Sequence, residues 1–165
     1  MSRRHSTGQI ILTDFFSGIL ATLPMTLLML AANKAIPTRK PDPLPPEEVT
    51  VNLTKKAQVE PLLSDTQKKK LSLFNHFFYG GFIAVPIGLI TAHATARQSV
   101  KRGVGYGLLV WLSNYLGLLP SLNLYPPATR EPARMNGIMI ASHLLWGGSL
   151  GWLSNRLHRA IAGSG

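Results

Sequence analysis

The chain has 165 residues, 17 Lys and Arg against 7 Asp and Glu, a formal charge of +10, 45% hydrophobic residues and only 15% charged ones. That length predicts one domain, and the absence of cysteine excludes disulfides, thiolate zinc sites, iron–sulfur clusters and thiol catalysis. The charges sit in blocks between apolar runs, so the basic excess reads as loops flanking membrane segments and argues against a nucleic-acid partner.

A short polar lead with Arg3 and Arg4 precedes the first apolar run, 9–32. Signal-peptide cores span about 7–15 residues. This run is longer and matches the roughly 20 residues that a bilayer core requires, so it predicts a retained transmembrane helix. Pro24 falls mid-run, where neighbouring membrane helices can repair the backbone. Asp14 is the acid inside the apolar runs. An intramembrane carboxylate is a functional candidate by default; the simpler expectation is a side chain one turn from the interface, reaching water and favouring the helix N-terminus.

Residues 34–71 form a hydrophilic Pro/Lys-rich loop. Its proline-rich opening, 36–46, predicts extended chain. Residues 47–57 predict a surface helix with Val49, Leu53 and Ala57 on one face. Ser64 and Gln67 fit a capping box, so the second helix begins in water with Lys68, Lys69 and Lys70 and enters the bilayer near Leu73.

The second predicted membrane helix, 73–95, is followed by a short basic loop with Arg97, Lys101 and Arg102. The third, 103–119, is expected to stop at Pro120. The fourth, 135–157, ends among Arg156, His158 and Arg159. The expected fold is all-α: a single membrane domain, 1–165, built as a four-helix bundle.

One stretch is written twice. Asn75-His76-Phe77-Phe78-Tyr79-Gly80-Gly81 opens the second run, and Ser142-His143-Leu144-Leu145-Trp146-Gly147-Gly148 opens much of the fourth. Upstream of the copies come Gly18-Ile19-Leu20 with Leu44-Pro45-Pro46, and Gly107-Leu108-Leu109 with Tyr125-Pro126-Pro127. This predicts two helical hairpins related by a pseudo-twofold axis along the membrane normal. Gly18, Gly80, Gly81, Gly103, Gly107, Gly147, Gly148 and Gly151 are expected to pack helices closely, as are Thr22 and the pair Ala92 and Ala96. Trp111, Trp146, Trp152, Tyr115 and Tyr125 are expected as interface anchors. Raw counts of Lys and Arg favour the long loop inside, but the short acid-free basic elements set both termini in the cytoplasm.

His76, His143, Tyr79 and Trp146 form the candidate paired polar site, with Asp14 and Asn114 as secondary candidates. The plainest reading is a pair of interfacial histidines bonded to carbonyls or water; Asn114 is expected to hydrogen-bond between helices. Proton or small-solute transport is the alternative, because imidazole titrates near neutral pH. Bis-histidine b-type haem is a lesser one, since His93 and His158 at the far helix ends are rotated by about 100° and 60° from their partners. No Gly-x-Ser-x-Gly elbow, His-Glu-x-x-His motif or P-loop is present, so no enzyme, metal or cofactor is expected. The expected partners are the lipid bilayer and another membrane protein or a second copy.

The chain resembles the small uncharacterised bacterial inner-membrane proteins of the YagU-like kind. The likeness lies in Gly18 to Met25, in Leu44-Pro45-Pro46, in His76 with Tyr79-Gly80, and in His143 with Trp146-Gly147. It implies a multi-pass protein of the cell inner membrane and no reaction or ligand.

Overall fold

Two capping boxes set where two of the long helices begin. The computed structural model describes residues 7–35, 43–91 and 94–163. In it the Gln67 backbone N–H donates to Ser64 Oγ while the Ser64 N–H donates to Gln67 Oε1 at 2.8 Å. Thr95 and Gln98 repeat the arrangement, with the Thr95 N–H donating at 2.9 Å. Each box satisfies two donors that a helix start would leave open. The helices in order are α1 (Thr7–Lys34), α2 (Pro45–Lys56), α3 (Asp65–Ala84), α4 (Ile87–Thr91) and α5 (Ala96–Ser113); a π turn (Asn114–Leu118) leads on into α6 (Leu119–Ser121), and α7 (Ala133–Gly163) follows. Among the described residues there is no strand, and the fold is all-α. Arg3, Arg4, Ala92, His93 and most of the proline-rich stretch lie outside the described residues.

Three expectations are corrected by local backbone chemistry. The run 73–95 is not one helix, because Pro86 has no N–H to give; Val85 N–H donates to Phe82 O at 3.3 Å instead, and the Tyr106 hydroxyl donates to Ile83 O. Residues 97–102 are the first turns of α5, started by Thr95, and not a loop. Pro120 lies inside α6 and does not end the helix. The end comes at Asn123, whose φ of 49° lets its N–H reach Pro120 O at 3.0 Å and the Leu124 N–H reach Leu119 O at 2.9 Å. That is a Schellman closure, and Asn is one of the few residues at ease in it.

α7 packs against both α1 and α5, α3 packs against α1, and α2 lies across α3. Small residues make the close contacts. A Cβ added to Gly103, Gly107, Gly147 or Gly151 would overlap a backbone oxygen of the facing helix, and one on Gly18 would overlap Gly80 O and the Ala84 side chain. Aromatic rings fill the spaces where the helices diverge. Trp111 stacks on Tyr115, Tyr115 meets Tyr125 edge-on and Tyr106 stacks on Trp146. Trp111, Trp146, Tyr115 and Tyr125 are therefore core residues, each no more than 7% exposed, and not the expected interface anchors; Trp152 is the outward one, at 48%.

Along much of α1 and α3 the polarity is the reverse of a helix in a water-soluble bundle. α1 buries Thr13, Asp14, Ser17, Gly18, Ala21 and Thr22, and further along Met25 and Met29, and exposes Ile11, Leu12, Phe16, Leu20, Leu23, Leu27 and Leu30. α3 likewise buries Ser72, Gly80, Gly81 and Ala84 while Leu73, Phe74, Phe78 and Phe82 face out. A helix in water buries its large apolar stripe. Among the described residues α1 is the helix long and apolar enough to cross a membrane by length and composition; α3 and α5 carry lysines and arginines into their first turns.

Candidate functional site

Because α3 leans on α1 and α5 leans on α7, a gap remains between α3 and α5. It forms a cavity of about 470 Å³, with wall residues from α1, α2, α3, α5, α6 and α7. His76, Tyr79, Asn114, His143 and Trp146 all line it. The capped start of α3 sets the first two on the wall facing α5, and the glycine contacts of α7 hold His143 and Trp146 beside it.

The polar groups of the cavity are unevenly satisfied. Tyr79 donates its hydroxyl to Asn114 Oδ1 at 2.8 Å, bridging α3 to the π turn that follows α5. His143 Nδ1 lies 2.8 Å from Met139 O; a carbonyl only accepts, so Nδ1 carries the proton and Nε2 is left as the acceptor of the neutral ring. Tyr115 packs edge-on against that ring, with 5.8 Å between centroids. By contrast, His76 Nε2 and Trp146 Nε1 are buried without a hydrogen-bond partner. Buried polar atoms are normally paired, so these two, one on α3 and one on α7, are exceptions. The paired histidines are thus not equivalent: one is anchored to its own helix, and the other has a spare nitrogen.

α2 supplies a wall that the repeated motif did not point to. Val49 and Leu53, the apolar face legible in the sequence, line the cavity, and Asn75 Nδ2 reaches Thr50 Oγ1 at 3.4 Å. Asn52 Nδ2 donates to Leu124 O at 3.0 Å and fastens α2 to the Schellman turn.

Asp14 stands apart from this cavity. It is 0% exposed, so the expectation of a shallow carboxylate reaching water is corrected. Its Oδ1 accepts the Ser154 hydroxyl at 2.6 Å and lies 2.9 Å from His158 Nε2. His158, at the basic end of the last helix, is half of a tie between the first and last helices. Gly88 makes room for the carboxylate, because a Cβ there would overlap Asp14 Oδ2. Nothing local in the sequence marks Ser154 as the partner. Among the described residues no group of three or more His, Asp or Glu is placed to hold a metal ion.

A protein-family model with the description Protein of unknown function (DUF1440) matches residues 25–152, from α1 into α7. Neither the curated proteins nor the solved structures give a match.

Proposed function

The chain belongs to the DUF1440 family, whose description carries no activity, and on that premise we propose that it is a four-helix integral membrane protein that binds a small lipophilic molecule inside its bundle. The observation that carries this reading is the reversed polarity of the helices around a mostly apolar cavity. On α1 and α3 most large apolar side chains face outward, and Gly, Ala, Ser and Thr make the closest contacts between helices. In lipid that arrangement is favourable, since close packing replaces a hydrophobic force that hydrocarbon does not supply. In water so continuous an apolar surface would drive association. The protein acts through binding and carries no catalytic step. In this reading it is a multi-pass protein of the inner membrane, with both termini on the cytoplasmic side.

The bundle is read as two copies of one hairpin. Gly18 with Thr22 meets Gly80 and Ala84, much as Gly103 with Gly107 meets Gly147 and Gly151. In this register Gly18 corresponds to Gly103, one turn from the Gly107 that the sequence alignment suggested, and His76 corresponds to His143. Parallel repeats place shared sites at the repeat interface, which is where the cavity lies. Carbonate extraction at about pH 11 tests the membrane assignment: the full chain is expected to stay in the membrane pellet, and its release into the supernatant would overturn the reading.

Transport is the second reading, favoured by the presence of both histidines on one cavity. It requires that His76→Ala combined with His143→Ala abolish pH-dependent flux in reconstituted vesicles. Under the binding reading, wild type and the double variant show the same background leak.

A further inference from the structure

The two unpaired nitrogens beside the cavity take no part in recognising an occupant. Trp146 Nε1 and His76 Nε2 are shut off from the cavity as fully as from the rest of the protein, and they belong to its shell. Among the described residues no Lys, Arg, Asp or Glu lines the cavity, and burying an unpaired charge costs far more than a hydrogen bond returns. Tyr79 is engaged with Asn114, Asn75 with Thr50, and His143 Nδ1 with Met139 O. A charged head is therefore kept out of the interior. What the interior offers is apolar surface from Met25, Val49, Leu53, Val110, Leu119 and Leu124.

In the membrane-bundle reading above, on which this inference rests, the cavity lies at the depth of acyl chains. Lys69 and Lys70 of α3 are exposed and stand at the level of the head groups, while the cavity lining on the same helix runs from Asn75 to Ile83. Eight steps of helix rise about 12 Å, most of the roughly 15 Å that one leaflet gives to the hydrocarbon core. At the water end α2 turns Val49 and Leu53 inward, and Asn52 fastens it there. The side is different. Phe78, Phe82, Leu118 and Leu122 line the cavity and are each about half exposed, so an apolar mouth opens between α3 and α6 toward lipid. Lys70, Phe74, Phe78 and Phe82 follow one another at i, i+4, a row along one side of α3, and the Phe74 and Phe78 rings stack with centroids 5.8 Å apart. That row leads from the head groups to the mouth. We propose that the lipophilic molecule is a phospholipid of this leaflet, which keeps its phosphate head at the level of Lys70 and turns one acyl tail through the mouth into the cavity.

The test uses the full chain reconstituted in phosphatidylcholine vesicles that contain a photoreactive phosphatidylcholine. One form carries a diazirine midway along an acyl chain, the other carries it on the choline head. After photolysis the tail probe is expected on the inward cavity residues Met25 and Val110, which are only 5% and 7% exposed, as well as on outward residues such as Leu20 and Leu27. The head probe should reach neither Met25 nor Val110. Val49→Trp adds bulk to the cavity from α2, away from the glycine contacts of the bundle, and should remove the inner adducts while Leu20 and Leu27 stay labelled. Leu53→Trp, on the same face of α2 but half exposed, should do the same with less demand on folding. The proposal is overturned if the tail probe leaves Met25 and Val110 unlabelled, if the head probe labels them equally, or if both tryptophan variants label like wild type. Carbonate extraction keeps the two readings apart. Retention in the pellet with any of those results removes the lipid tail alone, whereas release into the supernatant removes the membrane assignment on which it rests.

Discussion

Gly147→Leu is expected to separate α5 from α7 and to destabilise the bundle by about 3 kcal/mol, the upper part of the usual overpacking range. A Cβ at this position overlaps Gly103 O and lies 2.9 Å from both the Gly103 carbonyl carbon and the Gly107 nitrogen. All three atoms are backbone, so no side chain can swing aside; the helices themselves must move apart. Moving them also lifts Gly151 away from Ser99 and Gly107 away from His143, because the same face makes those contacts. Gly105→Leu supplies the control. It makes the same substitution in the same pair of helices, but a Cβ there has nothing within 4 Å. It should leave stability unchanged or raise it slightly, since Gly is the poorer helix former. Thermal unfolding in a mild detergent, followed by tryptophan fluorescence, gives the comparison; equal midpoints for the two variants would refute the packing argument.

Asp14→Ala is the second large effect, expected to cost about 2 kcal/mol, because it leaves the fully buried Ser154 hydroxyl without its acceptor and removes the contact with the partly exposed His158. Asp14→Asn keeps an oxygen at the same position and should lose much less. Ser154→Ala removes one donor and leaves the carboxylate its contact with His158, so it should cost about 0.6 kcal/mol, the average for a hydrogen bond between membrane helices. A double-mutant cycle between positions 14 and 154 should show the two losses to be non-additive. Strict additivity would mean that the observed 2.6 Å contact contributes nothing.

Most of the helical framework was legible in the sequence, because each signal was local. The Ser64–Gln67 box, the apolar face of α2 and the small residues at i, i+4 each need only a few neighbouring positions to be read. The Thr95–Gln98 box carries the same local signal, yet the arginines and lysine behind it suggested a loop; charge content says little about a helix that starts in water. The π turn at 114–118 and the passage through Pro120 depend on how α5 meets Tyr79 and on the closure at Asn123. Propensity reports neither. At the site, the doubled motif brought His76, Tyr79, His143 and Trp146 to notice, and the helix arrangement places them around one cavity. The burial of the tryptophans was not legible, since aromatic residues near helix ends suit both an interface and a core. Asp14 was read by its depth alone, and its partners are distant in sequence.

That distance has a consequence for biosynthesis. Asp14 and Ser154 are 140 positions apart, and a ribosome adding about 5–20 residues per second needs roughly 7–28 s to cover that interval. In the proposed membrane setting the first helix enters the bilayer with the Asp14 carboxylate unmatched, and that group waits until nearly the whole chain has emerged. A premature stop before α7 leaves the Asp14 carboxylate without Ser154 and His158 in that setting, a buried charge with neither partner. Completion of the last helix is thus the event that gives the carboxylate of the first its partners.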